Sequence, residues 1–218
     1  MSFMIVFYFY KNILFTLGQF YFSFMNLFSR QSLYQDWLIS FFNMVFTTYG
    51  LALFSLFEQD LQSRKSEKLI PDTFLYFFGQ KNLGFNRLNF LGWIFSAFLE
   101  SVYIFFFVRV IDIYSNTFSR FRESHYELVS MIIYSVIIIQ IQIKLFMYTN
   151  HMTLLIILGY LVTTIGFYIL YILFFDRLIA FSYFRTLKII WTNPNFYLVV
   201  FLIITTLFIF NFTKHQIR

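Results

Sequence analysis

No cysteine occurs among the 218 residues, which excludes a disulfide framework, a thiolate metal site and a cysteine nucleophile. Proline is nearly missing as well: Pro71 and Pro194 are the two, and both fall outside the long apolar runs. Those runs therefore carry no helix-breaking ring. Charge is scarce, at 12% of residues against roughly 25% for a soluble domain. Ten acids and sixteen bases cannot clothe a water-facing surface of this size. A disordered chain is excluded by the opposite excess, because 60% of the residues are hydrophobic. The net charge of +6 gives a pI of about 9.4, yet the bases are scattered between apolar stretches. They form no basic stripe of the kind that nucleic acid requires. What remains is abundance of another sort, with 36 Phe, 16 Tyr and a mean hydropathy of +0.71. The composition is that of a multi-pass integral membrane protein.

A helix needs about 20 mostly apolar residues to cross the hydrocarbon core. Six such stretches are present, at 3–28, 38–57, 90–110, 127–148, 152–174 and 195–212, so the expected fold is all-α and polytopic, with six transmembrane helices. Connections are short except 58–89, which holds Pro71 and a dense run of charge. The first stretch has neither a basic leader nor a small-residue cleavage site, so it reads as a span and not as a signal peptide. Lysine and arginine do not orient the chain, since eight fall on one face, Lys144 among them, and seven on the other.

Polar residues inside the spans carry the functional signal. Asn12, Thr16, Gln19, Ser23 and Asn26 project onto an arc of about 80° on the first helix. Side chains of that kind at membrane depth face protein or a water-filled cavity rather than lipid. Lys11 adjoins the stripe, about 15 Å along the helix. Two readings are open for it: a lysine that snorkels to an interface, or one that meets an anionic group inside the bilayer. Asn43 and Thr47 share one face of the second span, followed by Gly50, and interhelical hydrogen bonding accounts for them equally well. Glu100 lies near the middle of the third span, where a carboxylate is protonated, paired or hydrated. Lys11 is the partner considered for it, and a proton or cation site is the alternative. The histidines, at 125, 151 and 215, sit at span ends or in loops and are not placed to ligate a metal or haem. G-x-x-x-x-G-K, H-E-x-x-H and G-x-S-x-G are all missing. Asn211-Phe-Thr is a glycosylation triplet only in form, because it abuts a span.

Three stretches go beyond composition. Phe9-Tyr10-Lys11-Asn12-Ile13, Gln19-Phe20 and the run from Phe28 to Trp37 resemble the fifth membrane helix, and the loop after it, of type-four P-type ATPases, the phospholipid flippases. Asn43-Met-Val-Phe-Thr47 and Phe57-Glu58-Gln59-Asp60 resemble the sixth helix and its exit. Leu75-Tyr76, Gly79-Gln80, Phe85-Asn86, Phe90 and Trp93 are similar in spacing to the family's linker, the most specific of the three matches. Looser likeness continues through Ile141–Lys144, Asn150-His151 and Asn193–Tyr197.

The resemblance implies that the six spans are helices five to ten of a ten-helix membrane domain, residues 1–218 forming its C-terminal transmembrane part. It implies a cytosolic 58–89 loop. It also implies a hydrated groove through which an aminophospholipid-type headgroup passes beside Lys11, Asn12 and Asn43, with Gln19 and Thr47 among the groove's polar residues. No catalytic or metal-binding residue is expected, and Glu100 is an intramembrane acid of unknown role. Gly18 and Gly50 stand where the family usually has proline; glycine also permits a bend. The phosphorylated D-K-T-G motif is absent, since Asp36, Asp60, Asp72, Asp112 and Asp176 are followed by Trp, Leu, Thr, Ile and Arg. The expectation is a flippase membrane portion that binds no cofactor itself, with Mg and ATP handled by the remaining ATPase domains. Its partners are phospholipid, the bilayer and those domains, with room for an accessory β-subunit and no nucleic acid. Its place is the plasma membrane or the Golgi and endosomal membranes. A free-standing six-helix channel or membrane scaffold without ATP chemistry is the runner-up. An organelle-encoded respiratory subunit is a third reading, against which the linker and the lack of paired intramembrane histidines argue.

Overall fold

The computed structural model describes residues 2–58, 80, 86–115, 125–150, 153–177 and 194–217, with backbone alone at 113–115, 125–128, 167–177, 215 and 217. Most of the 58–89 loop, much of the linker motif and His151 lie outside the described residues, as do the side chains of His125 and His215. Six helical segments follow one another: α1 Ser2–Met25, α2 Asp36–Phe57, α3 Arg87–Ser115, α4 His125–Met147, α5 Leu154–Arg177 and α6 Pro194–Ile217. No strand occurs among the described residues. Five helices are long and apolar enough to cross a membrane, and Leu154–Gly166 in α5 is a shorter apolar stretch. The molecule is a polytopic all-α membrane protein.

Burial singles out α4 as the axle. In its apolar segment 83% of residues are buried, against 28% in α6 and 39% in each of α1, α2 and α3. The sequence explains this: from Val129 to Leu145 apolar residues fall on every side of the helix, and such a helix belongs in the interior. The other helices pack about it, α1 and α6 against both α3 and α4, and α2 and α5 against each other and α4. Each turns one buried stripe inward. On α3 the stripe is Trp93, Ser96, Ala97, Glu100, Ser101, Ile104, Phe105, Val108 and Asp112, a spacing of three and four throughout. Its small residues let α1 come close, which matters in lipid, where packing and hydrogen bonds rather than water expulsion hold helices together. Phe95, Phe98, Leu99, Phe106 and Val110 are left exposed on the opposite face, as lipid contact demands.

Two local departures position the site. First, α1 stops at Met25, three residues short of the expected end at 28. Leu27, Phe28 and Arg30 have left-handed backbones, with φ of 49°, 57° and 61°, conformations that end a right-handed helix. The loop is then tied back: Gln19 Oε1 accepts the Leu33 N–H at 2.7 Å, and Tyr34 stacks on Phe15 at 4.4 Å. Gly18 makes room for that ring, because a Cβ there would lie 2.5 Å from the Tyr34 hydroxyl. Second, α2 is not regular. Phe42–Thr47 form a π-turn between two α-helical segments, a rare widening that clusters at functional positions.

Candidate functional site

Tyr10 and Lys11 are consecutive on α1, and successive helical side chains diverge by about 100°. They accordingly serve two different interfaces. Lys11 turns toward α2. Its ammonium, wholly buried, donates to Thr47 Oγ1 at 2.8 Å and lies 4.7 Å from the centre of the Tyr8 ring. Thr47, buried within the π-turn, passes its own hydroxyl proton to the Phe42 carbonyl at 2.8 Å. One hydroxyl thus accepts from Lys11 and donates to the helix backbone. Gln142 of α4 reaches the same turn from the other side and donates from Nε2 to the Phe46 carbonyl at 2.9 Å.

Tyr10 turns toward α3 and α4, where Glu100 sits with 1% of its surface exposed. Four side chains converge on its carboxylate. The Tyr10 hydroxyl and Gln140 Nε2, the latter at 3.0 Å, donate to Oε2. Ser96 Oγ at 2.8 Å and Lys144 Nζ at 2.5 Å donate to Oε1. Lys144 is itself sandwiched by aromatics, 3.8 Å from the Tyr10 ring centre and 5.1 Å from that of Trp93. A carboxylate at membrane depth with this many donors is a fully paired anion.

Several expectations need correction here. The partner of Glu100 is Lys144 and not Lys11, because Lys11 leaves α1 on the α2 side. Lys144 is no loop charge either. It lies in α4 at 3% exposure, so it has no place in a count of loop bases. The polar stripe of α1 also resolves into separate uses. Thr16 bonds back to the Asn12 carbonyl at 2.9 Å, Ser23 to the Gln19 carbonyl at 2.9 Å, and the Gln19 amide oxygen is engaged by the loop. Of the candidate groove residues the structure brings Lys11 and Thr47 together. Asn12 is half-buried beside Lys11, Asn43 is exposed at the start of the π-turn, and Gln19 lies about two turns further along α1. Sequence reasoning missed Tyr10, Ser96, Gln140, Gln142 and Lys144. The signal available was Gln140, Gln142 and Lys144 interrupting an isoleucine-rich span, with Gln140 and Lys144 four residues apart.

Comparison with known proteins supplies the family. The model described as "Phospholipid-translocating P-type ATPase C-terminal" matches residues 1–218. Human phospholipid-transporting ATPase IC is 32% identical over 149 residues, 67% of this chain and 12% of that protein. Mouse phospholipid-transporting ATPase IK is 32% identical over 165 residues, 75% of this chain and 12% of that protein. Probable phospholipid-transporting ATPase 5 of Arabidopsis thaliana is 40% identical over 115 residues, 53% of this chain and 9% of that protein. The chain thus spans about 12% of the length of the first of these relatives. A membrane bundle of this composition, matched from its first residue to its last, belongs to the phospholipid-translocating P-type ATPases, as their C-terminal domain.

Proposed function

We propose that this bundle is the membrane part of a flippase moving aminophospholipid-type lipids between leaflets, with the headgroup passing beside Lys11, Asn12, Asn43 and Thr47. Gln19 stands on the same helix further along the path. One observation carries the reading. The Lys11 ammonium is buried at membrane depth and bonded to a neutral hydroxyl, whereas its counterpart Lys144 is matched by a carboxylate. A cation held by a hydroxyl gains more from an anionic oxygen through a charge-assisted bond, and phosphatidylserine carries a carboxylate that phosphatidylcholine lacks. A headgroup carboxylate arriving at α2 would exchange with Thr47 for Lys11 while the acyl chains stay in the hydrocarbon.

The rest of the machine follows from the family and belongs to the same proposal. The 58–89 loop faces the cytosol and transmits movements driven by phosphorylation elsewhere, an accessory β-subunit attaches to the bundle, and the membrane is plasma, Golgi or endosomal. None of the five aspartates stands in D-K-T-G, and among the described residues no three His, Asp or Glu side chains come together. ATP coupling is assigned to the other domains of the transporter.

The test uses the chain in nanodiscs of phosphatidylcholine doped with phosphatidylserine, with lipid retention read by native mass spectrometry. Lys11→Ala is expected to lower phosphatidylserine retention about tenfold, with phosphatidylcholine unchanged. Equal retention of phosphatidylserine by the variant and the parent would remove the headgroup role.

A further inference from the structure

The geometry points to Gln142 of α4 as the positioning residue for Lys11, acting through the π-turn of α2 without touching either the lysine or the lipid. Three side-chain donors serve the backbone of this turn: Thr47 to Phe42, Thr48 to Asn43, and Gln142 to Phe46. The two threonines belong to α2 itself and bond to carbonyls five residues back. In a regular α-helix the same hydroxyls reach the carbonyl four residues back, so they follow whichever register the helix adopts. Gln142 differs. It projects from α4, the most enclosed helix, with 4% of its own surface exposed, and its amide meets the Phe46 carbonyl where the turn presents it. It is the external contact that selects the widened register.

Gly50 completes the fit. A Cβ at this position would lie 3.0 Å from Gln142 Oε1 and 3.4 Å from Nε2, so a side chain there presses on the amide that holds Phe46. Without the extra residue that a π-turn accommodates, the flanking segments of α2 would be offset by about 100° relative to each other. Thr47 would no longer face Lys11, and the 2.8 Å bond between them would be lost. Gln142 therefore decides where the lysine is parked. The consequence for lipid selection rests on the headgroup reading above; the consequence for Lys11 does not.

The experiment takes the full chain in phosphatidylserine-doped nanodiscs and compares Gln142→Leu with the parent by two readouts. The first is labelling of Lys11 by a membrane-soluble amine reagent, quantified by peptide mass spectrometry. The second is phosphatidylserine retention. Gln142→Leu is expected to raise Lys11 labelling severalfold and to lower phosphatidylserine retention about fivefold, with phosphatidylcholine retention constant. In a Lys11→Ala background the same substitution is expected to cost no further retention, because its effect passes through the lysine. Unchanged Lys11 labelling, or losses that multiply in the double variant, would overturn the assignment. Gly50→Ala pushes on the amide from the other side and is expected to give the same signature; it decides the matter if Gln142→Leu does not fold. Should Lys11→Ala itself leave phosphatidylserine retention unchanged, the headgroup reading falls, and Lys11 labelling still tests Gln142.

Discussion

Among the described residues two lysines lie in the interior of this bundle, and their surroundings are opposite. Lys144 is boxed by a carboxylate, a serine hydroxyl at 3.2 Å and two aromatic faces, all contributed by helices that pack on α4. Lys11 has a threonine hydroxyl, one tyrosine ring and a widened helical turn. The first cation is matched in charge and fixed from several sides. The second is held by a neutral group that a stronger acceptor can displace. Under the proposal above, the fully paired charge serves architecture and the one parked on a hydroxyl is available for exchange. The neighbourhoods differ just as much: α3 and α4 are regular through the Glu100–Lys144 pair, while α2 is irregular where it meets Lys11.

The sharpest way to break the contrast is to leave one member of the architectural pair alone. Lys144→Met strands the Glu100 carboxylate, and such losses cost about 3–5 kcal/mol. In mixed micelles titrated with SDS, with tryptophan fluorescence as the probe, the variant is expected to unfold at far lower denaturant than the parent. Trp93 beside the pair is one of the three tryptophans that contribute to that signal. A variant that unfolds with the parent would show that the pair contributes little. The double substitution Glu100→Gln with Lys144→Met removes both charges and is expected to regain most of the loss, since burying two charges is itself costly. If the double variant is as weak as the single one, hydrogen bonds rather than charge balance hold α3 to α4.

Tyr10→Phe is the intermediate case. It deletes one donor to Glu100 but keeps the ring, which packs 5.7 Å from both Phe7 and Trp93. A hydrogen bond to a charged group is worth about 1.5–3 kcal/mol in soluble proteins, and less in membranes, where interhelical bonds average roughly 0.6 kcal/mol. The expected loss is about 1 kcal/mol, read in the same titration. A loss as large as that of Lys144→Met would mean that the tyrosine, and not the lysine, is what the carboxylate depends on.

How much of this was legible beforehand follows from periodicity. Apolar runs of span length are visible at any register, so the helices and the membrane setting came from sequence. Glu100 stood out because an acid in such a run is conspicuous, as did Lys11. Partner choice did not come through, because it depends on which way a side chain leaves its helix. Lys144 stands three residues from the end of α4, and in one dimension it looks like a boundary charge; only Glu100 and Trp93 of α3 and Tyr10 of α1, gathered about it, make it interior. Gln142 was hidden for a related reason. Its role is set by a π-turn in another helix, and the few polar residues of 41–57, Asn43, Thr47 and Thr48 among them, do not tell a one-residue widening from a regular α-helix.

The smallest stability effect is expected at the other lysine, and it separates the two sites most cleanly. Lys11→Met keeps the aliphatic stem and removes the ammonium, so Thr47 loses a donor while its own bond to Phe42 survives. No carboxylate is stranded, and the cost of burying a cation disappears with the cation. The net change in SDS unfolding is expected within about 1 kcal/mol of the parent, of either sign. Phosphatidylserine retention by the same preparation is expected to fall as it does for Lys11→Ala. Stability preserved with lipid selection lost is the signature of a residue kept for its ligand. A Lys11→Met variant as unstable as Lys144→Met, with lipid retention intact, would make the two lysines alike and return both to architecture.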